Sequence, residues 1–177
     1  MAEQPANSSE GAQDALTSRP PSVEDLVMVC RSLNAHGARY VVVGGFAIRN
    51  AGYIRETGDV DLLVDVSPEN EGKVYRSLEI LPDRAVLELQ PGETSQHLVI
   101  RVCDEIIVDL MASACGINYA EASQDVVVRE LDGVKIPFAS PRLLWRMKKD
   151  THRAKDAGDL FFLRQQYSKE IFGNVAR

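Results

Sequence analysis

The feature that most constrains this chain is a pair of aspartates separated by a single residue at the start of a short apolar segment. Asp59 and Asp61 begin the sequence DVDLLVD, which we predict to be a β-strand. Because side chains two residues apart in a strand point to the same face, the two carboxylates would project together, about 6.5–7 Å apart along the chain. Val60, Leu62 and Val64 would share the opposite face, which suits the core.

Two carboxylates on one face repel each other, so a bound cation is the simplest explanation for the pair. Carboxylate oxygens are hard ligands that favour Mg²⁺ or Mn²⁺ over Zn²⁺. A calcium-binding EF-hand loop is excluded, because residues 62–64 are Leu-Leu-Val where that loop requires further oxygen ligands and a glycine. The alternative interpretation is a solvated strand end without a metal.

A third carboxylate, Asp109, lies in a later apolar segment, EIIVDLM, which we also predict to be a strand. An acid among such neighbours is costly if it is buried and unpaired. If the two strands are neighbours, about 4.8 Å apart, Asp109 joins Asp59 and Asp61. Three carboxylates can hold two metal ions about 3.5–4 Å apart, an arrangement that supports in-line displacement at phosphorus. The alternative is an acid at a strand edge that faces water.

Two consecutive glycines, Gly44 and Gly45, follow the predicted strand RYVVV and precede a predicted short helix, FAIRNAGY. Glycine lets the backbone approach a ligand closely, and the N–H groups at a helix start can receive a phosphate. A glycine pair after a strand is more often only a tight turn. Its combination with the paired aspartates and the later isolated Asp109 favours a phosphate-binding site with metal ions.

The order of the remaining predicted elements indicates an α+β domain, in which a mixed sheet is flanked by helices and the C-terminal part is helical. We predict helices at about 22–37, 68–78, 140–150 and 153–167, strands at 85–90, 97–103 and 105–111, and a hairpin around Asp132–Gly133. The domain covers residues 22–177, with residues 140–177 forming its C-terminal helices. Residues 1–21 are rich in proline and polar residues and are predicted to be a disordered tail.

Composition excludes several other kinds of protein. The chain has 177 residues and three scattered cysteines, which argue against a disulfide framework or a structural zinc site. We expect Cys30 and Cys103 to be inert core thiols. No apolar run approaches the roughly 20 residues of a membrane span, and the N-terminus does not look like a secretory signal, so we expect a cytoplasmic protein without a membrane partner.

Charge is unevenly distributed along the chain. The net charge of −6 disfavours a protein that coats nucleic acid. From Ser140 onward, however, there are nine basic and four acidic residues, so an acidic body is joined to a basic C-terminal part. This division is typical of parts with separate electrostatic roles, although a solvated basic helix face explains it equally well.

Two stretches resemble a known family. Residues 41–65, VVVGGFAIRNAGYIRETGDVDLLVD, resemble the signature of the DNA polymerase beta-type nucleotidyltransferase superfamily in its minimal bacterial form: a GG or GS turn, a DxD strand and a third acid on a later strand. Residues 140–160, SPRLLWRMKKDTHRAKDAGDL, are similar to the C-terminal helical motif of abortive-infection-type nucleotidyltransferase toxins. Together the resemblance covers roughly residues 38–65, 105–111 and 136–163.

The resemblance implies a polymerase-beta-like fold and two Mg²⁺ or Mn²⁺ ions. The implied reaction transfers a nucleoside monophosphate from an NTP to an acceptor hydroxyl and releases pyrophosphate. Asp59 and Asp61 match the metal ligands of the family. Asp109 matches the third acid, which shares a metal and is placed to deprotonate the acceptor hydroxyl.

The same resemblance implies nucleotide-binding roles for four further residues. Gly44 and Gly45 match the phosphate-binding turn, Lys148 matches a helix lysine near the nucleotide phosphates, and Lys155 with Asp156 matches a Lys-Asp pair. Gly45 departs from the many members that carry serine there, which leaves the phosphate contact to the backbone.

The implied activity leaves the acceptor open among an RNA 3′ end, a protein hydroxyl in a toxin–antitoxin setting with an antitoxin partner, and a small molecule such as an antibiotic. The alternative function is a non-catalytic nucleotide-binding or protein-interaction module on the same fold. Arg55 and Thr57, which precede the paired aspartates, either contact the nucleotide or stabilise their own loop.

Overall fold

Residues 17–173 are described by the computed structural model, which shows a mixed β-sheet with helices packed against it. The helices are α1 Val23–Ala35, α2 Gly44–Asn50, α3 Pro68–Leu78, α4 Glu93–Gln96, α5 Tyr119–Ala122, α6 Pro141–Lys148 and α7 Ala154–Phe172. The strands are β1 Tyr40–Val42, β2 Val60–Val64, β3 Val99–Cys103, β4 Ile107–Met111, β5 Ser113–Ala114, β6 Ile117–Asn118, β7 Val126–Leu131 and β8 Val134–Ala139. The architecture confirms the predicted α+β class.

The main sheet has six strands in the order β3-β4-β2-β1-β8-β7, and β5 pairs separately with β6. β1 is antiparallel to β2 and parallel to β8, while β2 is parallel to β4. The outer pairs, β3 with β4 and β7 with β8, are antiparallel. The parallel pairing of β2 with β4 brings their N-terminal ends together, and the candidate site forms at these ends.

Sequence-encoded caps set the starts of two helices. Ser22 and Asp25 form a reciprocal capping box at α1, which confirms the predicted start of this helix. At α6 the hydroxyl of Ser140 accepts a hydrogen bond from the Leu143 N–H, and Pro141 occupies the first turn, where its missing N–H costs nothing. Within residues 17–173, none of the helices is both long and apolar enough to cross a lipid bilayer.

The predicted strand at residues 85–90 is wrong. Residues Ala85–Glu88 form a single 3₁₀ turn instead. The reason is tertiary: the buried carboxylate of Asp104 accepts hydrogen bonds from the backbone N–H groups of Asp83 and Ala85, which turns the chain. As a result β3, rather than this segment, forms the edge of the sheet.

The last helix is longer than predicted. α7 continues to Phe172 and bends at Tyr167, whose backbone is non-helical. The Tyr167 hydroxyl donates a hydrogen bond of 2.6 Å to the carbonyl oxygen of Ala51, which anchors the bend to the end of α2.

The disorder predicted for residues 1–21 falls mostly on residues outside the described range, and it stays a prediction. Within the described range, Ser18 and Arg19 contact the body of the domain. The Ser18 hydroxyl donates to the Asp104 carbonyl at 2.6 Å, and the Arg19 N–H donates to the Glu105 carbonyl at 2.8 Å. The Arg19 guanidinium also forms a two-bond ion pair with Asp25 of α1. These contacts attach the residues before α1 to the turn between β3 and β4.

Candidate functional site

The three aspartates singled out in the sequence converge in the structure. β2 and β4 are neighbours, with Asp61 directly opposite Asp109, and Asp59 immediately precedes β2. One carboxylate oxygen of each residue lies within 4.8 Å of the other two. This confirms the expectation that Asp109 joins the pair, and we call the three residues the acidic triad.

The electrostatics of the triad favour a cation. Burial, together with the negative charges of Asp59 and Asp109, raises the pKa of Asp61 to about 6. The N–H of Gly45 and the charge of Lys155 oppose this shift in pKa without cancelling it. The donor set consists of three hard carboxylate oxygens at bridging separation, so these residues fit Mg²⁺ or Mn²⁺.

One cation already lies against the triad, and sequence reasoning missed it. Arg101 on β3 donates two hydrogen bonds to Asp109, from Nε at 2.9 Å and from Nη2 at 2.7 Å. The same Nη2 lies 3.3 Å from a carboxylate oxygen of Asp59. The available signal was the pairing of the predicted strands at 97–103 and 105–111, since that hairpin places Arg101 opposite Asp109.

Gly44 is required by its distance from Asp61. Its φ is +60°, and a Cβ atom built on it would lie 1.8 Å from Oδ2 of Asp61. A side chain at this position would therefore occupy the space of the carboxylate. The glycine pair allows the backbone at the start of α2 to lie directly against the triad.

Gly45 lies against Thr57 in the same manner. A Cβ atom at Gly45 would lie 2.2 Å from the Thr57 hydroxyl oxygen, which itself donates to the Asp59 carbonyl at 3.2 Å. Thr57 therefore fills the space that a serine at position 45 would need. This contact gives a local reason why position 45 is glycine where related motifs carry serine. Of the two roles considered for Thr57, its hydrogen bond to the Asp59 carbonyl supports stabilisation of its own loop.

A cleft of about 530 Å³ adjoins the triad. Its walls are the glycine pair, the loop before β2, the segment after β4 and the facing parts of α6 and α7; the polar residues that line it are Tyr53, Arg55, Glu56, Thr57, Asp59, Asp61, Lys148, Arg153, Lys155 and Asp156. Asp109 and Arg101 are not among the lining residues. Of the acidic triad, therefore, Asp59 and Asp61 line the cleft and Asp109 does not.

Lys148 lines this cleft, but its charge is neutralised by α7. Its ammonium lies 2.7 Å from a carboxylate oxygen of Asp156 and 3.0 Å from one of Asp159. Asp159 is fully buried and also accepts two hydrogen bonds from Arg55, at 2.8 and 3.0 Å. Arg55 thus connects the loop before β2 to α7.

Lys155 lines the same cleft and is exposed to solvent. In the part of the chain that the structure describes, Asp156 pairs with Lys148 and with Arg153, rather than with its neighbour Lys155. The two lysines, for which the same nucleotide-binding role was predicted, therefore differ in their surroundings. Lys148 is held in an ion-pair network, whereas Lys155 presents its charge to the cleft.

Comparison with known proteins adds evidence on the fold. No protein-family model matches the sequence, and no curated protein is detectably similar to it. Among solved structures, a Thermotoga maritima protein provisionally assigned as a nucleotidyltransferase matches with a TM-score of 0.53 and 17% identity, over 81% of this chain and 93% of that one. The fold is that of a nucleotidyltransferase.

A second solved structure, an antigenic nucleotidyltransferase-like protein from Paracoccidioides brasiliensis, matches with a TM-score of 0.47 and 18% identity, over 82% of this chain and 78% of that one. At 17% identity, the similarity to the Thermotoga maritima protein is evidence for the fold and not for an activity.

Proposed function

We propose that this protein is a metal-dependent nucleotidyltransferase that transfers a nucleoside monophosphate from an NTP to an acceptor hydroxyl. The observation that carries the proposal is the convergence of Asp59, Asp61 and Asp109 beside the cleft. Clustered carboxylates cost stability unless a cation compensates their charge, and three of them on neighbouring strands would provide ligands for two divalent ions. The ions would supply charge neutralisation at the phosphates and a more acidic acceptor hydroxyl.

Asp59 and Asp61 would hold the ions at the cleft, with Asp109 sharing one of them, and the triphosphate would lie in the same cleft. Lys155, which is exposed at the same cleft, would contact the phosphate oxygens. The glycine pair keeps side chains away from Asp61, so the phosphates can approach the backbone of Gly44 and Gly45. Positioning and charge stabilisation then supply most of the rate enhancement.

Asp109 would act on the acceptor side. The resemblance assigns the third acid the proton of the acceptor hydroxyl, and Asp109 would take this role once Arg101, which bonds both of its oxygens, has moved away. The acceptor oxygen forms a bond to the α-phosphorus while the bond to the bridging oxygen of the β-phosphate breaks. Pyrophosphate leaves, and the proton resides on Asp109.

Lys148 would act through other residues rather than by direct phosphate contact. Its ion pairs with Asp156 and Asp159 hold α6 against α7. This arrangement fixes the start of α7, from which Lys155 faces the cleft. Lys148 therefore supports nucleotide binding as a positioning residue.

The toxin-like role and the acceptor are further parts of the proposal. The resemblance of residues 140–160 to abortive-infection-type toxins favours a toxin-type enzyme with an antitoxin partner. An RNA 3′ end, a protein hydroxyl and a small-molecule hydroxyl are the three acceptor classes to test. Because the proposed reaction consumes NTPs, which are intracellular metabolites, we propose the cytoplasm as the compartment.

A second candidate function is a nucleotide-binding module without turnover. The contact of Arg101 with Asp59 and Asp109 favours it, since a guanidinium bonded to two of the three acids occupies ligands that catalysis requires. The fold and the cleft would then serve nucleotide binding alone.

Incubation with an NTP labelled at its α-phosphate, together with Mg²⁺ or Mn²⁺, distinguishes the two functions. We expect pyrophosphate release and label transfer to an RNA, protein or small-molecule fraction of a cell extract. Asp61→Asn should abolish both, whereas Asp125→Asn, which alters a carboxylate paired with Arg142 away from the cleft, should not. Nucleotide binding without pyrophosphate release would contradict the enzyme and support the module.

A further inference from the structure

Arg101 contacts the triad in a way that ordinary surface ion pairs do not. Its guanidinium donates to both oxygens of Asp109, and its Nη2 also reaches Asp59. Two of the three carboxylates therefore already have a positively charged partner. Asp61 is the member of the triad that Arg101 does not contact among the described residues.

The two contacts differ in strength. The two bonds to Asp109 are parallel and short, at 2.9 and 2.7 Å, which is the strong fork geometry between a guanidinium and a carboxylate. The contact to Asp59 is a single one at 3.3 Å. Asp109 is buried, so Arg101 also compensates a charge that would be costly without a partner.

Arg101 is accessible from solvent as well as from the triad. It lies on β3, the edge strand of the sheet, and its side chain is 53% exposed. A change of its side-chain rotamer would release both carboxylates without requiring a change in the sheet. The cleft is unaffected, because Arg101 does not line it.

We propose that Arg101 is the internal counter-ion of the acidic triad, and that a divalent ion gains Asp109 only by displacing this guanidinium. The inference rests on the proposed function, because it requires that the triad bind metal. It predicts two unequal metal sites. One ion binds between Asp59 and Asp61 with little competition, and a second ion, which needs Asp109, binds more weakly because it competes with Arg101.

Titration of the nucleotide-free protein with Mn²⁺, with free Mn²⁺ followed by electron paramagnetic resonance, tests this without any measurement of activity. We expect two classes of site in the native protein. In Arg101→Met, which keeps the apolar stem and removes the charge, the weaker class should tighten by about three- to tenfold, as expected for loss of one partly exposed but bidentate competitor. Arg101→Lys keeps a charge without the fork and should give an intermediate affinity.

Two control variants separate competition from a general change in charge. Lys155→Gln removes a cation that acts on Asp61 through space, and it should tighten Mn²⁺ binding less than Arg101→Met does. Arg142→Met removes an arginine of matched exposure, 55%, that pairs with Asp125 elsewhere, and it should leave Mn²⁺ binding unchanged. The Mn²⁺-induced rise in melting temperature, larger in Arg101→Met than in the native protein, serves as the second readout.

The outcomes distinguish failure of this inference from failure of the proposed function. If the native protein binds Mn²⁺ through Asp61 but Arg101→Met binds it equally well or more weakly, Arg101 is not a competitor and the proposed function stands. If neither protein binds Mn²⁺, both the inference and the metal-dependent function are overturned.

Discussion

At the scale of single residues, the site depends on close approaches that only glycine permits. Gly44 lies against the carboxylate of Asp61, and Gly45 lies against Thr57. Gly37 provides an internal comparison, because it has a similar positive φ of +65° but no heavy atom within 4 Å of the position that a Cβ would occupy. Gly44 and Gly37 share the conformational requirement and differ only in crowding.

Replacing Gly44 by alanine should therefore damage the protein more than the same change at Gly37. At Gly37 we expect a loss of about 1 kcal/mol in the free energy of unfolding, from the positive φ alone. At Gly44 the added Cβ must also displace Asp61, so we expect a loss of about 2–4 kcal/mol and weaker Mn²⁺ binding. Urea unfolding and Mn²⁺ titration of both variants measure the difference, and equal losses would show that Asp61 moves aside freely.

The sequence indicated the members of the triad but not their counter-ion. Asp59 and Asp61 could be paired from the two-residue period of a strand, and Asp109 stood out as an acid among apolar neighbours. Arg101 does not stand out by itself, because a basic residue on an edge strand is ordinary. Its one signal is the predicted hairpin, and the register of β3 against β4 establishes that it lies opposite Asp109.

At the scale of secondary-structure elements, a buried ion network joins α6, α7 and the loop before β2. Asp159 is at its centre, with bonds to Arg55 from the loop and Lys148 from α6. Asp156 adds a second bond to Lys148 and one to Thr151. The network places the C-terminal helices α6 and α7 beside the loop that leads into the triad.

Asp159→Asn should loosen this attachment. The change leaves Arg55 and Lys148 short of a buried negative partner, so we expect a loss of about 3 kcal/mol in the free energy of unfolding. We also expect weaker NTP binding, because the start of α7 carries Lys155 into the cleft. Urea unfolding and nucleotide titration measure the two effects.

The control for this prediction is Glu69→Gln, which removes an exposed i,i+4 ion pair with Lys73 on α3 and should have no measurable effect on either quantity. If Asp159→Asn is as stable as the native protein, the network does not hold the helices together.

At the scale of the whole molecule, stability without metal should depend on pH in two opposite ways. Asp61 has a pKa of about 6 in the folded protein and an ordinary pKa of 3.8 as reference. As pH falls from about 7.5 to about 5, the folded state takes up a proton that the unfolded state does not, so the free energy of unfolding should rise. Asp25 acts oppositely, because hydrogen bonds from Arg19 lower its pKa to about 2.

The stability contributed by Asp25 is present above its unfolded pKa and is lost as pH falls toward about 2. Urea unfolding in a chelating buffer should therefore show greatest stability near about pH 4, where the gain from Asp61 and the loss from Asp25 balance. In Asp61→Asn the rise between about pH 7.5 and 5 should be reduced, and saturating Mg²⁺ should reverse it in the native protein, since metal favours the ionised carboxylate. A native profile identical to that of Asp61→Asn would show that Asp61 titrates normally.

The sequence by itself determined the fold class, the elements around the glycine pair and the identity of the triad. These features depend on local periodicity, turn chemistry and the cost of clustered charge, all of which can be inferred from the order of the residues. Tertiary structure decided what depends on neighbours distant in sequence. These features are the turn at Ala85–Glu88, the ion pairs that Lys148 forms with α7, and the position of Arg101 opposite Asp109. The physical reason is that a charged side chain has no fixed role until packing and strand register bring it a partner.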